Sequence, residues 1–461
     1  MSYQKLQGKK PAVWTTPIPN TSFDLVPVKQ LIPSLDRLYR KGQFIEADHQ
    51  QLIPDLEYIK INNHFQGIQR IRNSNYILLT GASKTSTHAH LFVIKLNGDN
   101  KLTFGSNILV KGKEDYGSLV DIFCLADYPY WHAGGLSICG DVMCVPLEGD
   151  RQSTGKSNSR IAFYNIKNPT QPIKYPTEIF RANQKAGSSC LIRMSDNHFH
   201  CAVWSDSDHL PKRFDLYRSK STKLSDGFLK YKRITIDQIS NRSGRQPRFQ
   251  TIQFLVDENG EVFIIGFLNT RKTAPIINGT NKLFVYKVEL DLSNKIAALK
   301  QVYFRQFDDG GSYYNMGAAT GVYVDSKGSL SLYAAHHWKT KKFIRLAEFT
   351  QRIINPIRPI TSIKSAQIEC WEHQYFRGKY FTLRGDKQMS FPTLKELRAQ
   401  GKKFNDKLSS LRILIPVANK ITFYNHEFYK GEKLVFNGTG KLIEIPKLIN
   451  KNDQISSLKI D

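Results

Sequence analysis

The sequence predicts an all-β protein in two parts, a long N-terminal array of strand sets and a smaller, duplicated β-domain at the C-terminal end. Three observations support this. Short β-branched and aromatic runs end in Gly, Asn or Asp, which is typical of strands joined by tight turns. Similar strand sets recur every 55 to 68 residues, starting near positions 64, 132, 187, 249 and 316. A six-residue motif then occurs twice, at 405–410 and 452–457.

Each strand set contains three apolar runs at hairpin spacing; in the first set they are 64–71, 76–81 and 90–96. A fourth apolar stretch follows most sets. Four strands per repeated unit is what a β-propeller requires, because each sheet buries its faces against its neighbours around a channel. The sequence therefore predicts a five-bladed β-propeller over residues 1–355. The predicted fourth strands are 101–110, 173–180, 231–237 and 297–307.

The fifth set lacks a clear fourth strand. We predict that Phe23 to Ile32 supplies it and closes the ring. The alternative is a six-bladed ring in which residues 1–60 form part of a blade. A stiff linker is predicted at 356–365, since Pro356 and Pro359 restrict the chain there.

If the first strand of each set lines the channel, its opening residues gather at one rim. Mouths of closed β-architectures are preferred ligand sites. This rim is polar and aromatic, which predicts binding of a polar or anionic ligand, with carbohydrate a candidate. The equivalent positions of two histidines indicate either a structural repeat residue or half of a metal or acid-base pair. The candidate ligand-binding residues are His64, Gln66, Trp131, His132, Gln250 and Asn315.

A glycoside-hydrolase-type enzyme is the alternative, with the C-terminal domain as an accessory module. Its chemistry needs two carboxylates that flank the scissile bond. Acidic candidates occur near the rim, but none recurs at a telling spacing, so a binding protein is the favoured interpretation. Those candidates are Asp121, Asp127, Asp206, Asp208, Asp308 and Asp309.

The C-terminal motif reads Asn-Asp-Lys-Leu-Ser-Ser at 405–410 and Asn-Asp-Gln-Ile-Ser-Ser at 452–457. An aromatic and glycine frame precedes each copy, at 371–378 and 424–431. The glycine that ends each frame permits the positive φ of a tight hairpin, and the aromatic rings can cover that hairpin. Residues 366–461 are therefore predicted to form two Greek-key motifs in one small domain.

This segment resembles the βγ-crystallin superfamily, whose motifs pair an aromatic-x4-aromatic-x-Gly hairpin with [Asn/Asp]-[Asn/Asp]-x-x-[Ser/Thr]-Ser. Both motifs match in both copies. The resemblance implies Ca2+ binding between the motif loops by hard oxygen ligands. Lys407 places a cation beside one implied site and opposes the metal there. The implied ligands are the carboxylates of Asp406 and Asp453, the hydroxyls of Ser409 and Ser456, and backbone carbonyls near Glu372 and Asn425, with Asn405 and Asn452 shaping the loops.

The alternative is that the Asn-Asp and Ser-Ser pairs are turn residues of a metal-free domain. The motif residues alone leave both interpretations open.

Composition limits the remaining classes. The chain has 461 residues, 40% of them hydrophobic, and a net charge of +26. Such a charge attracts polyanions, although its spread over both parts also fits a solvated basic surface. Six cysteines without a CxxC pair predict buried free thiols. The lack of a signal-peptide pattern or an 18-residue apolar run predicts a cytoplasmic protein, with non-classical secretion as the alternative.

Overall fold

The chain forms two compact units, residues 1–352 and 353–461. Strands dominate both, and the described residues contain one α-helix, α1, Leu31–Arg37. No helix in this part of the chain is long and apolar enough to cross a membrane. The computed structural model describes residues 9–13, 22–49, 63–83, 88–96, 117–149, 157–206, 210–242, 248–270, 280–308, 310, 313–337, 343–351, 366–373, 377–385, 390–391, 398–399, 402–403, 410–415, 419–438, 442–445 and 456–460.

In the first unit the strands form sets that are antiparallel within each set. Two short strands precede the sets, β1 (Ala12–Val13) and β2 (Gln43–Asp48). Two 3-10 turns, Leu224–Asp226 and Ile236–Gln238, flank the last strand of set 3. Set 1 is β3 (Asn63–Arg70), β4 (Tyr76–Ser83), β5 (His88–Leu96) and β6 (Gly117–Ala126); set 2 is β7 (His132–Ala133), β8 (Ser137–Cys139), β9 (Val142–Glu148), β10 (Ser159–Asn165) and β11 (Ile173–Arg181); set 3 is β12 (Ser188–Arg193), β13 (Phe199–Ser205), β14 (Arg213–Ser219) and β15 (Phe228–Thr235); set 4 is β16 (Thr251–Val256), β17 (Val262–Thr270), β18 (Thr280–Leu290) and β19 (Ile296–Phe307); set 5 is β20 (Ala319–Val324), β21 (Leu330–Ala335) and β22 (Phe343–Phe349).

The first strands of the sets contact one another in a closed order. β3 contacts β8, β8 contacts β12, β12 contacts β16, β16 contacts β20, and β20 returns to β3. The approach is so close that a Cβ on Gly135 would lie 2.2 Å from the carbonyl oxygen of Gln250. Only glycine fits there. The inner strands therefore surround a narrow axis.

Hydrophobic clusters explain why the sets stand side by side. In the described part of the unit, a buried cluster lies between each pair of neighbouring sets, including the pair formed by sets 5 and 1. Between sets 3 and 4, for example, Trp204 and Phe214 pack with Phe249. Apolar burial is worth roughly 25 cal/mol per Å2, so each sheet is stabilised by covering both of its faces. Strand alternation supplies an apolar side chain to each face.

The N-terminal part completes set 5, but not with the predicted segment. β2 pairs antiparallel with β22, placing Ile45 opposite Leu346, and its end pairs parallel with β6. The prediction that residues 23–32 supply this strand is wrong. Val28, Leu31 and Leu35 are spaced three and four residues apart, as on one face of a helix, and all three are buried in one cluster. Leu31 and Ile32 begin the helix α1, and the residues before them in this stretch form no strand.

Residues 22–30 cross one end of the ring, and we call this segment the strap. The amide of Asp141 donates to the carbonyl of Ser22 at 2.7 Å, and the amide of Val28 donates to Val256 at 2.8 Å. Lys29 then donates to Gly328 at 3.1 Å. The strap thus touches sets 2, 4 and 5. A cavity of about 60 Å3 lies beneath it, toward the far ends of the inner strands, lined in part by Asp24, Gln69, Arg70, Gln253 and Tyr323.

Most fourth strands agree with the sequence expectation. The exception is set 1, where the fourth strand is β6, beginning at Gly117. The predicted stretch 101–110 lies outside the described residues, as does the predicted linker at 356–365. β6 carries Gly117 and Asp121 among its apolar residues, which weakened its apolar signal in the sequence.

The second unit contains two four-stranded sheets with the orders β24-β23-β28-β31 and β25-β32-β29-β30. A short pair, β26 with β27, stands apart. The strands are β23 (Ala366–His373), β24 (Arg377–Gly385), β25 (Ser390–Phe391), β26 (Arg398–Ala399), β27 (Lys402–Lys403), β28 (Ser410–Leu414), β29 (Lys420–Tyr424), β30 (Lys433–Asn437), β31 (Leu442–Ile445) and β32 (Ser457–Ile460).

Each sheet takes one strand from the other half of the unit. β31 joins the sheet of the first half, and β25 joins the sheet of the second half. The two halves also match in register, because Trp371 pairs with Ser410 and Tyr424 pairs with Ser457. The sequence duplication is thus a structural duplication, with the two halves interlocked.

Candidate functional site

Two histidines meet at the end of the ring where the inner strands begin, which we call the mouth. His64 lies near the start of β3 and His132 opens β7. Their Nε2 atoms are 3.1 Å apart. In such a contact one imidazole donates its N–H and the other accepts it. The structure therefore brings together the two histidines that occupy equivalent positions in the sequence.

Glu148 completes this arrangement, and the sequence reasoning missed it. It lies opposite His132 in the register of β7 and β9. Its Oε2 is 3.5 Å from Nδ1 of His132, and its Oε1 accepts the amide N–H of Ala186 at 2.8 Å. The register of the hairpin was the available signal, because facing residues on paired strands lie within contact distance.

Burial, and to a smaller extent the charge of Lys185, lower the pKa of His132 to about 4. His132 is therefore neutral near pH 7 and carries one ring proton. Nδ1 of His132 faces Glu148 and its Nε2 faces His64. With the proton on Nδ1, Nε2 would accept the N–H of His64. Glu148, His132 and His64 thus lie in a row at the mouth.

The other rim candidates differ in their surroundings. The Trp131 ring lies edge-on to His132, with centroids 5.4 Å apart. Asn315 uses its side-chain oxygen to accept the amide of Gly317 at 2.7 Å, so it shapes a turn before β20. Gln66 is buried. Gln250 is half-buried, and its backbone N–H donates to the backbone carbonyl of Phe267. Trp131 is thus the rim candidate found beside the histidine pair.

Three of the acidic candidates for hydrolysis are held by cations. Asp121 contacts Lys9 at 3.0 Å and Asp127 contacts Lys10 at 2.9 Å. Asp308 is exposed and lies 3.6 Å from Arg40. Asp206 is half-buried after β13, and Asp208 and Asp309 lie outside the described residues. Glu148, in contrast, contacts a mouth histidine, His132.

In the second unit, residues 424–433 form the tight hairpin expected from the sequence. The side-chain oxygen of Asn425 accepts the amide of Glu432 at 2.7 Å. Phe428, Tyr429 and Gly431 have positive φ values of 56°, 60° and 81°. A Cβ on Gly431 would lie 2.0 Å from the side-chain oxygen of Asn425, so this fold needs glycine.

The second Ser-Ser pair binds this hairpin. The hydroxyl of Ser456 donates to the backbone carbonyl of Asn425 at 3.2 Å. The hydroxyl of Ser457 donates to the carbonyl of His426 at 2.6 Å and accepts the amide of Tyr429 at 3.2 Å. Two oxygens implied as Ca2+ ligands, from Ser456 and Asn425, therefore lie side by side.

The remaining implied ligands cannot be placed in the same way. Glu372 belongs to β23, and its partner strand β28 begins at Ser410. The residues that lie outside the described part of the chain are Asn405, Asp406, Ser409, Asn452 and Asp453. The placed donors are a hydroxyl and a carbonyl oxygen, which fit Ca2+ and not a softer metal.

Comparisons with known proteins give structural likenesses only. No protein-family model and no curated protein matches the chain. A βγ-crystallin domain from Clostridium beijerinckii is 24% identical over 20% of this chain and 99% of its own, with a TM-score of 0.16. A family-43 glycoside hydrolase protein from Bacillus licheniformis is 8% identical over 87% of this chain and 94% of its own, with a TM-score of 0.27.

A thermostable family-43 glycoside hydrolase is also similar, at 8% identity over 63% of this chain and 90% of its own, with a TM-score of 0.33. At these identities and TM-scores, function has to be inferred from the residues of this chain.

Proposed function

We propose that the protein is a two-domain binding protein. In this proposal the second unit is a βγ-crystallin-type domain that binds Ca2+, and the first unit is a five-bladed β-propeller that binds an acidic carbohydrate at its mouth. The observation that carries the calcium part is the contact of Ser456 with the Asn425 carbonyl.

Three features support calcium binding. The Ser456 hydroxyl and Asn425 carbonyl are hard oxygens that point at one another at 3.2 Å. Ser410 and Ser457, the last residues of the two motif copies, pair with the equivalent aromatic residues Trp371 and Tyr424. Ca2+ takes roughly 6 to 8 such oxygens in a flexible shell, and Asp406 and Asp453 would supply the carboxylate charge.

Isothermal titration of the full chain with Ca2+ tests this part. The wild type is expected to release or absorb heat saturably, and Ser456→Ala is expected to weaken binding roughly tenfold or more. Thr422→Ala is a matched control, since Thr422 is a buried hydroxyl residue in β29, outside the loops. Absence of saturable heat in the wild type contradicts the calcium proposal.

Propeller architecture is supported by the closed order of inner strands and by the hydrophobic clusters between neighbouring sets. β2 supplies the fourth strand of set 5, so the N-terminal and C-terminal parts of the unit share one sheet. The strap crosses the end of the ring opposite the mouth.

The mouth supports a polar, acidic ligand. Trp131 lies beside the half-buried His132 at the mouth, and its indole ring can pack on an apolar sugar face. Lys185 is close enough to lower the pKa of His132, so a positive charge lies near the same place and favours an acidic group. The net charge of +26 draws such ligands toward the surface.

Titration with matched acidic and neutral oligosaccharides tests the mouth. Acidic chains are expected to bind more tightly, and His64→Gln with Lys185→Gln is expected to remove the preference. Lys232→Gln, which removes a charge from the exposed side of β15, is the matched control. Binding that depends only on salt, with no loss in the mouth variant, identifies non-specific polyanion attraction instead.

The hydrolase alternative is distinguished by product formation. Hydrolysis needs two carboxylates about 5 to 9.5 Å apart, and Glu148 is a candidate for one of them. Reducing-end release that Glu148→Gln abolishes would support an enzyme, whereas unchanged oligosaccharides after long incubation support binding.

A further inference from the structure

A histidine, a cysteine and an aspartate meet on the outer half of set 1. His88 begins β5, Cys124 lies near the end of β6, and Asp127 follows that strand directly. Nε2 of His88 is 3.2 Å from Oδ1 of Asp127, and Sγ of Cys124 is 3.4 Å from the same oxygen. All three donor atoms lie within 4.8 Å of one another.

These spacings suit a metal ion. Tetrahedral Zn2+ binds nitrogen, oxygen and sulfur at about 2.0 to 2.3 Å, which separates neighbouring donor atoms by roughly 3.3 to 3.7 Å. The two spacings to Asp127 are 3.2 Å, just below that range, and 3.4 Å, within it. We propose that His88, Cys124 and Asp127 form a Zn2+ site with its fourth position open to solvent or to an oxygen ligand.

The donor set selects the metal. Thiolate and imidazole favour Zn2+ and similar transition metals, whereas Ca2+ and Mg2+ prefer oxygen. This site is therefore chemically distinct from the oxygen loops of the second unit. It also lies entirely within the first unit.

Lys10 is the cation that now neutralises Asp127. Its Nζ lies 2.9 Å from Oδ2 of Asp127, and the two side chains are 74% and 49% exposed. Exposed ion pairs contribute little to stability, so a bound metal can displace this ammonium at small cost. The backbone of Lys9 is bound to β6 independently of the Lys10 side chain, because its carbonyl accepts the amide N–H of Cys124 at 2.9 Å. The side chain of Lys10 can thus move away from Asp127 while the backbone of Lys9 stays bound to β6.

The test is titration of the chelator-treated full chain with Co2+ followed by Zn2+. Cobalt is expected to give the near-ultraviolet band of a thiolate-to-metal charge transfer, and Zn2+ is expected to remove that band. Cys124→Ser should abolish the band, and Asp127→Asn and His88→Gln should each weaken binding by roughly tenfold or more.

Lys10→Gln gives the sharper expectation, because removal of a competing ammonium should tighten metal binding roughly two- to fivefold. Lys9→Gln is the matched control: Lys9 pairs with Asp121, outside the site, so affinity should not change. Asp127→Asn, at a half-exposed position, keeps the test valid if Cys124→Ser fails to fold. Binding without a thiolate band, or with unchanged affinity in Asp127→Asn, overturns the proposal.

Discussion

The hydroxyl of Ser456 lies 3.2 Å from the carbonyl oxygen of Asn425, while its neighbour Ser457 makes two hydrogen bonds to the same hairpin. Both serines hold the hairpin, Ser457 through two side-chain hydrogen bonds and Ser456 through one. The Ser456 bond joins two oxygens that the resemblance implies as Ca2+ ligands. This difference can be measured.

Ser457→Ala is expected to open the hairpin without abolishing the Ser456 donor. It leaves the His426 carbonyl and the Tyr429 amide without their partner, which costs about 1 to 3 kcal/mol. Hydrogen exchange of residues 424–433, measured without Ca2+, should accelerate roughly 5- to 100-fold. Ser456→Ala should have a smaller effect, and equal exchange in both variants contradicts the assignment.

Gly431→Ala is expected to disrupt the same hairpin by a steric route. An alanine Cβ would meet Asn425 and His426 at 2.0 and 2.5 Å, in addition to the strain of a φ of 81°. Gly260→Ala is the matched control, since its φ is 78° but nothing lies within 4 Å of the added Cβ. Calorimetry of the full chain should show a loss of more than about 2 kcal/mol for Gly431→Ala against about 1 kcal/mol for the control.

Because β2 closes the first unit, a charge introduced into β2 should reduce stability much more than the same charge introduced into β1. Ile45 is 3% exposed and faces Leu346, whereas Val13 is 65% exposed. Ile45→Asp buries a charge in the cluster between sets 5 and 1 and should cost more than about 3 kcal/mol. Val13→Asp should change stability by less than about 0.5 kcal/mol. Urea unfolding monitored by tryptophan fluorescence separates these results, and similar curves would rule out β2 as a structural strand.

His132 predicts an acid dependence of stability. Its folded pKa of about 4 lies below the ordinary value of 6.5, so the unfolded chain takes up the proton first as the pH falls. The contribution is fully present above about pH 6.5 and is lost as the pH falls toward 4, by up to about 3 kcal/mol. Lys185, Glu148 and His64 are the polar groups around it.

The comparison is urea unfolding of wild type and His132→Gln between about pH 7 and pH 4. Wild type should lose more stability across that interval than the variant. His200, whose pKa burial also lowers to about 4, titrates in both proteins and cancels in the difference. Parallel pH profiles would show that His132 takes up its proton as easily when folded as when unfolded.

Local pattern predicted much of the first unit. The predicted runs 76–81 and 90–96 lie within β4 and β5, because apolar side chains there alternate between two buried clusters. The prediction was wrong for ring closure. β2 contains Gln43, Glu46 and Asp48, and its strand character comes from pairing with β22 and not from its own apolar pattern.

At the mouth, too, the sequence pattern identified some residues, while others depend on how strands and sheets pair. Equivalent positions in the repeat were enough to find His64 and His132, but their contact depends on how two sheets approach. Glu148 escaped notice because only the hairpin register sets it beside His132. The Zn2+ candidates were hidden for a similar reason, since Asp127 appeared as a possible catalytic acid and Cys124 as a buried thiol, with no spacing that linked them to His88.

The most direct test of the central claim is the melting of the full chain with and without Ca2+, with Mg2+ at the same concentration as control. The account predicts that Ca2+ raises one melting transition, by an amount that corresponds to about 2.7 kcal/mol at a hundredfold excess over Kd. Asp406→Ala combined with Asp453→Ala should remove that rise and leave the other transition unchanged. A wild-type melting curve that is identical with and without Ca2+ would contradict the account.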